Sequence, residues 1–139
     1  MRCVGYNHVG VEELTTLESM RLLMRILEYL SDARVAVVHR EYVVVKWRLE
    51  SAMLALNGLG ISDGRGGHFD LSADDEERGA QLEMALISGM SQINDAGDAL
   101  FMRDGVLSVR RHLENAYDKF AQVAQAIDLW RFESSLGRS

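Results

Sequence analysis

Four histidines, a lone cysteine and a glycine-rich segment with acidic ends are the residues here whose types could do chemistry. A di-iron centre in a helical protein needs Glu-x-x-His from facing helices. The residues three before His8, His39, His68 and His112 are Gly5, Ala36, Arg65 and Val109, so that pattern fails at each histidine. A zinc site needs clustered His or Cys, and these four histidines are scattered. The segment Asp63-Gly-Arg-Gly-Gly-His-Phe-Asp70 invites a phosphate-loop or calcium-loop reading. It lacks the Gly-Lys-Ser/Thr ending of the first and the regular Asp spacing and closing Glu of the second. It reads as a connection. Cys3 cannot form an internal disulfide and fits a reducing compartment. No serine, histidine and acid arrangement follows from the spacing. The chain is expected not to be an enzyme, and to use no metal and no cofactor.

The charge balance narrows the partners. A formal charge of −6 argues against nucleic acid, whose phosphates favour a basic stripe. The densest basic spot, Arg110-Arg111-His112, has Asp104 and Glu114 nearby and reads as a solvated helix face. Arg21, Arg25, Glu28 and Asp32 interrupt the longest apolar run, so no segment reads as membrane-spanning. No secretory signal layout is present at the start, and the expected location is the cytoplasm.

The elements that must carry any site are helices. The chain has no proline to break them. Leu82, Leu86, Gly89, Ile93, Ala96 and Leu100 step by four and three. Val106, Val109, Leu113, Ala116, Phe120, Val123, Ile127 and Trp130 do the same. Such stripes are seams of helices packed at a shallow angle. In the first half, Leu14, Leu17, Met20, Met24, Leu27 and Leu30 form one stripe, and Tyr42, Val45, Leu49, Ala52, Leu56 and Leu59 another. The run Val35-Ala-Val-Val-His-Arg-Glu-Tyr-Val-Val-Val-Lys-Trp47 is rich in β-branched residues that suit a strand. Yet Tyr42 and Val45 continue helical spacing into Leu49, and His39-Arg40-Glu41 lacks hairpin-turn chemistry. The segment is expected to be a tight helix–helix corner near His39 or a nearly continuous helix.

Boundaries follow. Ser72-Ala-Asp-Asp75 reads as a capping box with Ser72 as the cap. Gly58 and Gly60 can end the second helix, and Asp104-Gly105 separates the last two. Residues 61–71 form the long connection. The prediction is an all-α, antiparallel four-helix bundle, one domain over 1–139, with a short N-terminal segment available to cap it. Residues 1–10 and 133–139 are expected to be flexible.

One feature exceeds what folding requires. Besides its stripe, the first helix carries a second apolar arc of Leu22, Leu23 and Ile26, then Val35 and Val38. A half-buried helix needs one apolar arc. The second can serve a fully central helix, a homodimer seam, or a groove that receives a partner's amphipathic helix. In the last case Met20, Met24, Met53, Met84 and Met90 would give adaptable contacts.

Leu22, Leu30, Ala33, Ala36, Tyr42, Ala52 and Leu59 fall without a gap on the pattern of the flagellin-export chaperone family (FliS), which this chain therefore resembles. Tyr42, after Arg40-Glu41, stands where that family has Gly-Asp-Tyr, and Tyr6-Asn7 is similar to its N-terminal tyrosine segment. Leu82, Met90, Ile93 and Ala96 resemble its third helix, Asp104 the acid before its fourth, and Phe120 its tryptophan. The chain departs from it at Thr15-Thr16, in place of a Ser-Pro cap, and at Leu22-Leu23-Met24-Arg25, in place of Leu-Tyr-x-Gly. The family's tyrosine pair in the third helix is also missing among Leu86, Ser88 and Gly89, and the loop over 61–71 is longer. The resemblance implies a cytoplasmic export chaperone that binds the disordered C-terminal segment of flagellin and prevents premature polymerisation. The alternatives are a divergent paralogue with another export substrate and a homodimeric structural bundle. On this reading Leu22, Leu23 and Ile26 contribute to the partner-binding surface, and Tyr6 covers part of it until a client arrives.

Overall fold

The computed structural model describes residues 15–62, 67, 69–102 and 105–136. These form four helices: α1 (Thr16–Val38), α2 (Tyr42–Gly58), α3 (Asp75–Phe101) and α4 (Val106–Leu136). Thr15 caps α1 through a capping box: its side chain accepts from Glu18 N, and Glu18 reaches back to the cap's own N–H. At α3 the cap is Asp74, whose carboxylate accepts from Glu77 N at 2.9 Å. Ser72, expected as the cap, instead accepts from Asp74 N at 3.0 Å. The correction has a simple cause: Asp74 lies immediately before the first helical residue, where a side chain can reach the free amides of the first turn.

The valine-rich run is a tight corner between two helices. Arg40 adopts φ 58. Its N–H donates to Val37 O at 3.0 Å, and Glu41 N donates to Ala36 O at 2.9 Å. These are the paired bonds of a Schellman closure. The end of α2 repeats the device at Gly60 (φ 81), with Gly60 N donating to Asn57 O and Ile61 N to Leu56 O, both at 3.0 Å. There Ile61 and Leu56 are both fully buried, supplying the apolar contact that accompanies this closure.

The helices pack in the cyclic order α1–α2–α4–α3, so α1 lies diagonal to α4 and α2 to α3. Cross-helix pairs fix every neighbouring seam as antiparallel. Asp32 meets Arg48 across α1/α2 and Arg34 meets Glu83 across α1/α3. Lys46 meets Asp128 across α2/α4, and Gln92 meets His112 across α3/α4. It follows that the diagonal helices α2 and α3 run parallel, so the chain between them must return along the length of the bundle. This is the physical reason for the long connection. It passes along α4: Gly60 O accepts from Arg110, Gly67 lies against the Gln122 side chain, and Phe69 has the Lys119 ammonium 5.8 Å from its ring centroid. It then docks on α3, where Gln81 accepts from Ser72 N at 2.7 Å.

The stripes of α2 and α3 are the buried seams of those helices, apart from half-buried Leu100. In α4 the stripe from Val109 to Ile127 is buried, with Val106 exposed and Trp130 half-buried at its ends. In α1 the expected assignment is largely reversed. Of the expected seam Leu30 is buried, Met20 and Leu27 are half-buried, Leu17 and Met24 are exposed and Leu14 lies outside the described residues, while Leu23, Ile26, Ala33 and Val37 are buried. At the C-terminus α4 continues as helix to Leu136, through part of the stretch expected to be flexible, although its last residues are largely solvent-exposed.

Candidate functional site: a groove between the first and third helices

The reversal in α1 places its surplus apolar residues outside the core. Arg34 Nη2 lies 2.8 Å from Glu83 Oε1, and a Cβ on Gly97 would stand 3.8 Å from Leu23 Cδ1. These two points set the register of α1 against α3. Residues seven apart share a helix face, so the row Met20, Leu27, Arg34 on α1 runs beside Glu83, Met90, Gly97 on α3. All six are partly buried and form a floor. Leu27 and Met90 pack on the core from above. Outside them run Leu17, Met24, Ser31, Val38 on α1 and Ala80, Ile87, Asn94, Phe101 on α3, all exposed. Val38 keeps 72% of its surface, Phe101 73% and Met24 59%.

The result is a shallow groove whose walls are apolar for much of their length. Two depressions lie near it. One, of about 370 Å³, sits on the outward face of α1 alone, lined by Met24, Leu27, Glu28, Ser31 and Asp32. The other, of about 250 Å³, closes the corner end, where Val37, Val38, Gly79, Ala80 and Tyr42 meet Arg40, Asp75, Glu76 and Glu83. Behind that corner Arg78 is 5% exposed, with its guanidinium 4.3 Å from the Trp130 ring centroid and 5.4 Å from that of Tyr42. It donates to Ser72 O and Ala73 O at 3.0 and 3.1 Å and pairs with Asp75. These contacts back the corner on its inner side.

The expected binding residues divide. Leu23 and Ile26 are sealed in the core, 3% and 0% exposed, and cannot meet a partner while the bundle is intact. Burial against α3 and the other helices accounts for them, which corrects the expectation that their arc was surplus. Leu22 is half-buried on the opposite flank of α1 and packs on the core. Tyr6 lies outside the described residues. The rest of the second arc, Val35 and Val38, is exposed. The methionines are brought together in part: Met20, Met24 and Met90 share the groove and Met84 stands exposed on α3 nearby, whereas Met53 packs on the core from α2.

Sequence reasoning assigned Leu17, Met20, Met24 and Leu27 to the seam, yet a usable signal was present. Their stripe ends at Leu30, because Arg34 occupies its next heptad position after Leu27, whereas Leu23, Ile26, Leu30, Ala33 and Val37 continue to the helix end. Elsewhere, Trp47 and Leu54 are exposed on the outer side of α2. Among the described residues no group of His, Cys, Asp or Glu is placed to hold a metal ion, and no helix is long and apolar enough to cross a membrane. No family model, curated protein or solved structure matches the chain at a significant level.

Proposed function

We propose that this bundle is an export chaperone that holds an amphipathic helical segment of its client, the C-terminal segment of flagellin in the first instance, in the α1–α3 groove. The observation that carries the reading is the set of exposed apolar residues Leu17, Met24 and Val38 on α1 and Ile87 and Phe101 on α3, on either side of a floor that includes Met20, Leu27 and Met90. A groove of this kind accepts one face of a helix, with anchors at every third or fourth residue. Unbranched thioethers let its floor adapt to the anchors. The client would fold as it docks, so its ordering entropy opposes binding and its buried apolar face favours it. The corner supports the family resemblance. Arg40 takes the left-handed backbone suited to the glycine of the family's Gly-Asp-Tyr, and Tyr42 is buried.

Calorimetry with a flagellin C-terminal peptide tests the reading. Binding with a Kd of about 1–50 μM is expected for wild type, and the Met24→Asp and Ile87→Asp variants should lose it while remaining folded. Absence of binding heat for wild type removes flagellin as the client. Unaltered binding by both variants removes the groove. Exposed Trp47 and Leu54 favour a second reading, a homodimer through α2. Light scattering decides it: a dimer that Trp47→Glu converts to monomer supports that reading, and a wild-type monomer refutes it.

A further inference from the structure

The charges along the groove are one-sided. Over its whole length α3 carries the acids Asp75, Glu76, Glu77, Glu83, Asp95 and Asp98 against a single cation, Arg78, which is buried. Glu83 is paired with Arg34, and Asp75 with Arg40 and Arg78. Glu76, Ile87 and Asp98 recur at intervals of eleven, three helical turns, and so share one face beside Glu83, along the outer edge of the groove. Glu76 and Asp98 are exposed and make no ion pair with any described residue. On α1 the opposite edge is balanced, with Arg21 and Glu28 on its outer side. Arg25 shares the side of Asp32, which turns to Arg48 of α2.

We infer that the segment docking in this groove is an amphipathic helix whose flank along α3 is basic, carrying Lys or Arg opposite Glu76 and Asp98. The inference rests on the groove being the docking surface and adds the partner's chemistry to it. An apolar stripe alone fits either way round, since anchors in a groove do not distinguish one flank from the other. Unpaired carboxylates along one edge discriminate. They attract a cationic flank and repel an acidic one, and the partial burial that docking imposes strengthens both effects. A second copy stacked with α3 upon α3 would bring like charges together. The span from Leu17 to Val38 is roughly 30 Å at 1.5 Å per residue, so about 20 residues of helix fill it.

The test uses two synthetic helical peptides of about 20 residues with the same leucine stripe, one flanked by lysines and the other by glutamates. Their binding to the full chain is measured by fluorescence anisotropy. The lysine peptide should bind about 10-fold tighter at low salt, and the gap should close as salt screens it. The double variant Glu76→Gln/Asp98→Asn should narrow the gap by half or more. A control of equal charge change on α4, Glu114→Gln/Glu133→Gln, should leave it nearly intact. Equal affinities for the two peptides, or equal effects of the two double variants, overturn the basic flank while leaving the groove standing. Failure of both peptides to bind overturns the groove itself. A bound lysine peptide with an unbound flagellin peptide removes only the flagellin client.

Discussion

The guanidinium of Arg78 lies 4.3 Å from the ring centroid of Trp130, so the first turn of α3 is clasped to the last part of α4. Tyr42 completes the contact, edge-on to Trp130 with centroids 5.2 Å apart, which brings in the start of α2. The same Arg78 donates to two carbonyls of the incoming connection. A buried cation is tolerated here because both Nη groups are hydrogen-bonded and its face is stacked on an aromatic ring, while Nε is left without a partner. Arg78→Ala should therefore cost about 2–4 kcal/mol, the sum of charged hydrogen bonds and a desolvated cation–π contact. Arg78→Lys should recover less than half, since an ammonium cannot stack and reach both carbonyls. Urea unfolding measures both, and full recovery by lysine would contradict the stacking argument.

Gly89 of α3 lies against the Phe120 ring of α4. A Cβ on Gly89 would collide with Phe120 Cε1 and stand 3.1 Å from Cζ, and Phe120 is fully buried, without room to retreat. Gly89→Ala gains about 1 kcal/mol of helix propensity but overpacks the seam by roughly 1–3 kcal/mol, so a net loss is expected. Gly79, also inside α3, has nothing within 4 Å of its would-be Cβ. Gly79→Ala should stabilise by about 0.5–1 kcal/mol. Opposite signs for the two substitutions in thermal unfolding are the expected outcome.

Arg40 holds a left-handed backbone conformation, φ 58, that L-residues adopt at a cost of about 1–2 kcal/mol. It also pairs with Asp75, but both side chains are about half exposed, so that pair contributes little. Arg40→Gly and Arg40→Ala both lose the pair, and only the glycine relieves the backbone. The glycine variant should be the more stable of the two by about 1 kcal/mol. Equal stabilities would show that the corner relaxes without it.

Lys46 titrates above its ordinary value, chiefly because Asp128 accepts its hydrogen bond at 3.0 Å, with the Asp128 and Glu50 charges adding to the effect. A raised folded value means the lysine contributes stability throughout the range below its unfolded value, about 10.4. That contribution is lost as pH rises through the folded value. Wild type should therefore lose its advantage over Lys46→Met on going from neutral pH to about 12. A difference in melting temperature that stays constant over that range would exclude the linkage.

The number of helices, their approximate ends and the seams of α2, α3 and α4 were legible in the chain, because each rests on local information. Heptad spacing records which residues share a face, and glycine or capping residues mark the ends. Helical spacing at Tyr42 and Val45 gave the helical state of the run around His39–Glu41, against a β-branched composition, but left open a corner or a nearly continuous helix. The candidate site was legible only as an excess of apolar residues on α1, in two arcs of similar strength that differ locally only in the break at Arg34.

Tertiary structure decided between those arcs. A helical wheel gives the angle between residues about one axis, and says nothing of where neighbouring axes stand. Once α2 and α3 flank α1 on two sides, the arc centred on Leu23, Ile26 and Leu30 points at the core, and Leu17, Met24 and Val38 are left facing solvent beside Ile87 and Phe101. The path of the connection along α4 and the burial of Arg78 against Trp130 were settled in the same way. Each joins residues far apart in sequence, and such contacts exist only after the helices have packed.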